Sequence, residues 1–353
     1  MKIFIVAGGT GGHLFPAIRL AEELLLRKDI EILFITSSRR QDKEILREKN
    51  IKFQTLPVIG MRRGGNIFAI LDFLAMLFVG TIKSIYLIAR YRPGSVIGFG
   101  GFVSGPIVLI ASLSGAKTVI HEQNVFPGKT NLLLSKFVDR IAVNFKESIE
   151  YLEGFESKVV ISGNPLRRDL KRAKKTDDGF VVLAMGGSQG AHTLNMLVPE
   201  ALNLIEPSKK NMLEVIHIAG QRETHDVENA YKDRGIANRV FAFTYDMGKI
   251  YSECDFVIAR AGATTVSELM YLAKPSILIP YPFAEGHQKL NAMVLERSGL
   301  AVMAEEQDLN AETLRDIITR LMDKRTLAFM SEKAACMDND KACDILIKEV
   351  LGG

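Results

Sequence analysis

Cysteine, metal-ligand spacings and long apolar runs are all scarce in this chain of 353 residues. Its three cysteines, Cys254, Cys336 and Cys343, form no CxxC pair and no even-numbered framework. A disulfide scaffold is therefore excluded, and the thiols are expected to pack as small apolar groups in a reducing compartment. His121-Glu122 would need histidine at position 125 to make a zinc motif, and Val125 stands there. Asp338-Asn339-Asp340 has the spacing of a metal–diphosphate clamp but follows no apolar strand, so a solvated helix start explains it better. No metal and no other cofactor is required. The longest apolar run, Ile67 to Val79, has 13 residues with Asp72 inside it. A spanning helix takes about 20, so none is expected. Near the start, Gly8-Gly9-Thr10-Gly11-Gly12 cuts Ile3–Ala7 short. That reads as a first strand, since a secretory signal needs about 7–15 unbroken apolar residues.

Charge of one sign is missing too. The net charge is +4, but residues 1–163 carry 21 Lys+Arg against 14 Asp+Glu, and residues 164–353 carry 24 against 27. An excess of +7 in the first half is too small for coating a phosphate backbone, so no nucleic-acid partner is expected. The 47% apolar and 24% charged composition excludes a disordered chain, and the length suits two domains.

What is present is a regular alternation of short apolar runs and helical patterns. Candidate strands are Ile3–Ala7, Glu31–Ile35, Ser95–Gly98, Thr118–Glu122 and Arg140–Val143, then Phe180–Met185, Glu214–Ala219, Val240–Phe243, Phe256–Ala259 and Ser276–Ile279. Runs of this length between amphipathic helices such as Pro16–Leu26 predict parallel sheets covered on both faces. The series is doubled. Gly8–His13 follows the first strand, and Gly186-Gly187-Ser188-Gln189-Gly190-Ala191 follows Phe180–Met185, with a helix after each. An α/β chain of two Rossmann-like parallel-sheet domains is expected, joined near Gly163-Asn164-Pro165 and the charged tract to Lys175. Its ligand is expected at a cleft faced by the carboxyl ends of both sheets.

A glycine turn between strand and helix exposes amides at the positive end of a helix dipole, which is an anion site. The dinucleotide fingerprint fails, because Leu14 stands at its last glycine and Ile35–Arg40 lacks the ribose-binding acid. Gly128-Lys129-Thr130 lacks the earlier glycine of a P-loop, Gln123 standing in its place. His13, ending the first loop, can act as a general base near neutral pH or bond the loop backbone. The glycines of Gly98–Pro106 imply a close approach to a ligand or a neighbouring loop. His121-Glu122-Gln123-Asn124 ends a strand of the same sheet edge. In the second half, the turn Ala261-Gly262-Ala263-Thr264-Thr265 can accept a diphosphate. Glu268 can bind two ribose hydroxyls, or form a capping box with Thr265. Gln288 and Asn291 suit sugar hydroxyls.

Five ordered segments carry a resemblance: Gly8–Ala17, His121–Asn124, Gly163-Asn164-Pro165-Leu166-Arg167, Gly186–Ala191 and Ala261–Glu268. Together they resemble the bacterial undecaprenyl-pyrophosphoryl-MurNAc-pentapeptide:UDP-GlcNAc N-acetylglucosaminyltransferases of the GT-B superfamily, over nearly the whole chain. The resemblance implies inverting transfer of GlcNAc from UDP-GlcNAc to the C4 hydroxyl of MurNAc in lipid I, giving lipid II for peptidoglycan. It implies an acceptor domain at residues 1–163, rejoined by the C-terminal helix within 338–353, and a donor domain at 164–337. Uracil would lie against backbone near Thr244, ribose on Glu268, and diphosphate on Ser188, Arg167 and the turn running from Ala263, Thr264 and Thr265 into Val266 and Ser267. Gln288 would meet GlcNAc hydroxyls, with Thr10, Gly11, Gly12 and Asn124 closing from the other domain. A metal-free transferase must stabilise departing UDP with helix N-termini and Arg167. The base on the acceptor hydroxyl would be His13, with Glu122 second.

A lipid-linked acceptor requires a membrane surface. Between Lys49 and His121 the only acid is Asp72, against Lys49, Lys52, Arg62, Arg63, Lys83, Arg90, Arg92 and Lys117. The apolar segment within this stretch, with Phe68, Phe73 and Phe78, reads as an interfacial helix with a basic collar on an anionic cytoplasmic leaflet, or as an ordinary buried helix. A peripheral place on the cytoplasmic face of the plasma membrane follows from the first reading. Rival functions are a diacylglycerol glycosyltransferase, a UDP-GlcNAc 2-epimerase, or a membrane-associated nucleotide-sugar sensor without catalysis.

Overall fold

The structure, a computed structural model, describes residues 1–58, 60, 67–172, 179–187, 190–283, 286–334 and 341–352. Ser188 and Gln189 of the second glycine loop, Arg62 and Arg63 of the basic collar, and Asp338-Asn339-Asp340 lie outside the described residues. The chain divides into two compact units, Met1–Leu166 with Asn339–Gly353, and Arg167–Asp338.

The first unit is built on a parallel sheet of β1 (Lys2–Val6), β2 (Glu31–Ser37), β3 (Phe53–Leu56), β4 (Ser95–Gly98), β5 (Lys117–Glu122), β6 (Arg140–Val143) and β7 (Val159–Ile161). Their order is β3-β2-β1-β4-β5-β6-β7. The alternation along β1 sorts its side chains to two cores. Ile3 and Ile5 pack with Leu14, Ala17 and Leu20 of the Gly11–Leu24 helix and with Leu346, Ile347 and Val350 of the last helix, Ala342–Leu351. Phe4 and Val6 pack on the opposite face with Leu87, Ile88 and Ile107. The second unit repeats the plan with β8 (Phe180–Met185), β9 (Leu213–Ile218), β10 (Ala237–Phe241), β11 (Phe256–Ala259), β12 (Ser276–Leu278) and β13 (Ala301–Met303), ordered β10-β9-β8-β11-β12-β13. In both sheets the order reverses beside the first strand, between β1 and β4 and between β8 and β11. Both glycine loops therefore leave their strands at a topological switch point, where open α/β sheets bind ligands.

Three strands were not expected from sequence, β3, β7 and β13, and all lie at a sheet edge. The segment expected over Val240–Phe243 pairs earlier, over Ala237–Phe241. The larger correction concerns the apolar segment. It is not a 13-residue stretch but part of a 25-residue helix, Ile67–Tyr91, which by length and composition alone is long and apolar enough to cross a membrane. Gly80 does not stop it, because a Cβ there would lie 2.5 Å from Val58 Cγ2 and the bare backbone lets the helix seat against that side chain. Gly80, Ser84, Leu87 and Ile88 form its buried stripe at helical spacing. Phe68 and Phe78 stand 73% and 67% exposed. Phe73 differs from the expectation: it is half-buried, edge-on to Phe102 with ring centroids 6.1 Å apart.

Candidate active site

The first glycine loop is organised by a residue the motif does not contain. Asp42, 3% exposed, accepts the amide of Gly9 at 3.1 Å and the hydroxyl of Ser37 at 2.7 Å on one oxygen. A Cβ at Gly8 would lie 2.8 Å from the Ser37 nitrogen, so the turn closes around this carboxylate only with glycine there. The amide expected to face an anion is thus already bonded to one, and a phosphate on Gly9 would meet like charge. Thr10 is the N-cap of the Gly11–Leu24 helix and makes no side-chain cap bond, so Gly11 and Gly12 form the first turn.

His13 follows in that turn. Its Nδ1 lies 2.7 Å from Gln123 Oε1, and among the described residues the ring has no other hydrogen-bond partner. The imidazole sits over the Gly98–Gly101 turn, where a Cβ at Gly100 would come within 3.2 Å of Cε1. Gly100 and Gly101 have φ of +90° and +74°, so glycine serves both the backbone and the close approach. The close approach expected for these glycines is to His13, and the histidine bonds a side chain rather than its own loop.

Glu122 has a different task from the one expected. Its Oε1 accepts the amide and the Nδ2 of Asn124 at 2.9 and 3.1 Å. Its Oε2 accepts the Gly128 amide at 2.9 Å and Asn131 Nδ2 at 2.8 Å. With four donors and 2% exposure, this carboxylate ties down the loop after β5. Glu122, the second candidate base, thus organises its own loop, with Asn124 among its partners. His121, fully buried, has Nε2 2.9 Å from the carbonyl of Gly163 and Nδ1 2.8 Å from Gln123 Nε2. Burial lowers its pKa to about 4.

In the second unit the loop after β8 turns through Gly187 and Gly190, with φ of +88° and +76°. A Cβ at Gly190 would fall 2.2 Å from the Ala219 carbonyl oxygen, so that turn admits only glycine. The loop after β11 leads through the N-cap Gly262 into the Ala263–Leu272 helix, with Ala263, Thr264 and Thr265 as its first turn. No side-chain cap bond exists there, so the Thr265–Glu268 capping box does not form. Val266 and Ser267 are buried, the latter's hydroxyl donating to the Ala263 carbonyl at 2.9 Å. Both support the turn from within.

Glu268 is 4% exposed and fully engaged: Arg167 Nε donates to Oε1 and Tyr251 Oη to Oε2, each at 2.9 Å. Burial raises its carboxyl above the usual range, with Arg167 pulling it back. The structure thus brings together Arg167 and Glu268, and adds Tyr251, which sequence reasoning missed for want of any motif. Thr244 lies in the loop after β10 and accepts the Asp246 amide at 3.1 Å. Gln288 accepts the Tyr281 amide at 2.9 Å, closing its own loop. Asn291, expected to face sugar, is buried and donates to the Ala261 carbonyl at 3.2 Å, linking two loops instead.

Comparison with known proteins agrees with this architecture. Residues 3–143 match the glycosyltransferase family 28 N-terminal domain, and residues 181–346 match the glycosyltransferase family 28 C-terminal domain. The chain is 38% identical to the UDP-N-acetylglucosamine–N-acetylmuramyl-(pentapeptide) pyrophosphoryl-undecaprenol N-acetylglucosamine transferase of Syntrophus aciditrophicus, covering 98% of this chain and 97% of that one. The enzyme of the same name from Geobacter metallireducens is 35% identical, covering 99% and 98%. Among solved structures, Acinetobacter baumannii MurG superposes with a TM-score of 0.79 at 28% identity, over 100% of this chain and 99% of that one. A UDP-GlcNAc 2-epimerase from Neisseria meningitidis reaches 0.70 at 14% identity over the whole of both chains, a likeness of fold alone. The two sheets are those of a GT-B fold, and the chain belongs to glycosyltransferase family 28.

Proposed function

We propose that this protein transfers GlcNAc from UDP-GlcNAc to the C4 hydroxyl of MurNAc in lipid I, giving lipid II with inversion at the anomeric carbon. The oxygen of the C4 hydroxyl forms the new bond to C1 of GlcNAc. The C1–O bond to the diphosphate breaks, and its electron pair leaves with UDP. The hydroxyl proton passes to His13. The observation that carries this assignment is the His13 imidazole, held through Nδ1 alone beside the first-unit switch point. The full-length relatives that share the reaction support the choice of donor and acceptor.

The departing UDP gains a negative charge that the second unit is equipped to meet. The amides of Ala263, Thr264 and Thr265 open a helix, and Arg167 carries a guanidinium beside it in the fold through Glu268. Arg167 turns from Glu268 to the diphosphate, and Glu268 takes the ribose hydroxyls in exchange. Thr244 contacts uracil through its backbone, and Ser188 and Gln288 contact diphosphate and sugar. On the acceptor side, Thr10, Gly11, Gly12 and Asn124 line the sugar. No metal takes part.

The acceptor is reached at an anionic membrane surface by the apolar helix Ile67–Tyr91, lying in the interface rather than crossing it. Its second half is seated in the first unit through Gly80, Ser84, Leu87 and Ile88, which leaves Phe68 and Phe78 outward. The protein is accordingly peripheral on the cytoplasmic leaflet. The test of the whole reading is transfer of radiolabelled GlcNAc to lipid I or a short-chain analogue. Equal turnover by His13→Ala would remove His13 as the base.

A further inference from the structure

The hydrogen bonds around His13 form a chain with a direction, and the direction decides where its proton sits. The Gly163 carbonyl at one end can only accept, so His121 Nε2, 2.9 Å away, carries a hydrogen. His121 is buried against the Phe99 ring, with centroids 5.0 Å apart, and a neutral ring with hydrogen on Nε2 has an accepting Nδ1. Gln123 Nε2 lies 2.8 Å from that Nδ1 and 3.0 Å from the His121 carbonyl oxygen. Its two hydrogens therefore have two acceptors. Flipping the amide would set its oxygen against both, so the orientation is fixed by the His121 ring and carbonyl together. The amide oxygen then faces His13 at 2.7 Å and can only accept.

We propose that Gln123, itself oriented by His121 and the Gly163 carbonyl, is a positioning residue that holds His13 as the Nδ1–H tautomer with its lone pair on Nε2. The imidazole then receives the acceptor's proton at Nε2 without turning. The bare Gly100 and Gly101 make room for the ring in this seat, where a Cβ at Gly100 would come within 3.2 Å of Cε1. The other titratable groups at hand are His121, facing away toward Gly163, and Glu122, whose carboxylate is turned to Asn124, Gly128 and Asn131. Neither competes for Nε2. The sequence shows only four polar residues after a strand. The relay becomes visible when His121 and Gln123, two residues apart, are seen bonded to each other across the strand end.

The inference rests on the reading of His13 as the base, and the tests keep the two apart. In the full chain labelled with 15N-histidine, the ring signals of His13 are assigned by their loss in His13→Ala. In the neutral ring, Nδ1 is expected to be protonated and Nε2 to be of the bare, pyridine type. The reverse pattern overturns the proposal, whatever the enzyme's activity. Independently, Gln123→Met is expected to lower kcat roughly 10- to 100-fold, the span of one oriented hydrogen bond, with the KM for UDP-GlcNAc little changed. Gln123→Glu keeps an acceptor on Nδ1 and adds negative charge but loses both donors to His121, so it is expected to move the acid limb of the rate profile to higher pH with kcat still below wild type. Wild-type kcat in Gln123→Met together with an unmoved acid limb in Gln123→Glu overturns the positioning role. If His13→Ala keeps full turnover while the tautomer is as stated, the base assignment falls and the relay remains.

Discussion

Arg167 Nε donates to Glu268 Oε1 at 2.9 Å across 101 residues of sequence, and Tyr251 Oη donates to the other carboxylate oxygen at the same distance. The pair joins the motif Gly163–Arg167 to the motif Ala261–Glu268, which the sequence shows only as separate stretches. On the proposed reading, diphosphate and ribose would compete with this preformed ion pair for Arg167 and Glu268. Arg167→Ala is expected to weaken UDP binding about 10- to 100-fold, the worth of a charge-assisted hydrogen bond. Calorimetric titration with UDP checks it, and an unchanged Kd would remove Arg167 from the diphosphate site.

Removal of the carboxylate has a second consequence, because it takes one acceptor from a half-buried guanidinium and one from a buried phenol. Glu268→Ala is expected to destabilise the second unit by about 1–3 kcal/mol. Tyr251→Phe, which removes one donor and leaves the ion pair, is expected to cost about 1 kcal/mol. Urea unfolding of the three proteins gives the comparison, and equal midpoints for Glu268→Ala and the wild type would contradict the account.

Two buried histidines set the acid limit of the fold. His121 and His217 are both lowered to about 4 by burial. His217 lies between Tyr231 Oη at 2.8 Å and Asn195 Oδ1 at 3.0 Å. Each has a folded pKa below its unfolded value. The unfolded chain therefore binds protons first, and the stability is complete above the unfolded pKa and is lost as pH falls. Between pH 7 and pH 5 each is expected to remove about 2 kcal/mol. Denaturant unfolding at those two pH values, repeated with His217→Gln, should show a weaker pH dependence in the variant. Stability independent of pH over that window would contradict it.

The bare face of the Ile67–Tyr91 helix gives a prediction at the membrane. Phe68→Ser with Phe78→Ser is expected to reduce binding to vesicles containing anionic lipid at least about tenfold, while leaving the fold intact because both side chains are exposed. Phe73→Ser is expected to act partly through the Phe102 contact, so it is the poorer probe. Basic flanks contribute about 1 kcal/mol each near such a surface, so binding should weaken with salt. Binding indifferent to lipid charge and to both phenylalanines would exclude the interfacial reading.

Much of this arrangement was legible in the sequence, and the exceptions have physical causes. Apolar runs and glycine turns are local signals, so both glycine loops fell correctly at strand ends. β3, β7 and β13 are edge strands of three or four residues, mostly not buried, and gain their pairing from a single neighbouring strand. The Ile67–Tyr91 helix outruns the apolar stretch ending at Val79, and the packing on Val58 explains the glycine that follows. Asp42 lies 33 residues from the amide it accepts, with no local pattern to link them. Glu122 was legible as an acid beside the site but not as one saturated by four donors, since Gly128 and Asn131 meet it only once the loop has folded.

The most direct test of the central claim is a product assay with purified protein, radiolabelled UDP-GlcNAc and lipid I or a short-chain analogue, run with and without EDTA. The account predicts a labelled β-linked disaccharide product, equal rates in the two conditions, and a rate that collapses in His13→Ala. Conversion of UDP-GlcNAc to an epimer, label appearing only without EDTA, or binding of UDP-GlcNAc with no transfer to the lipid would contradict it.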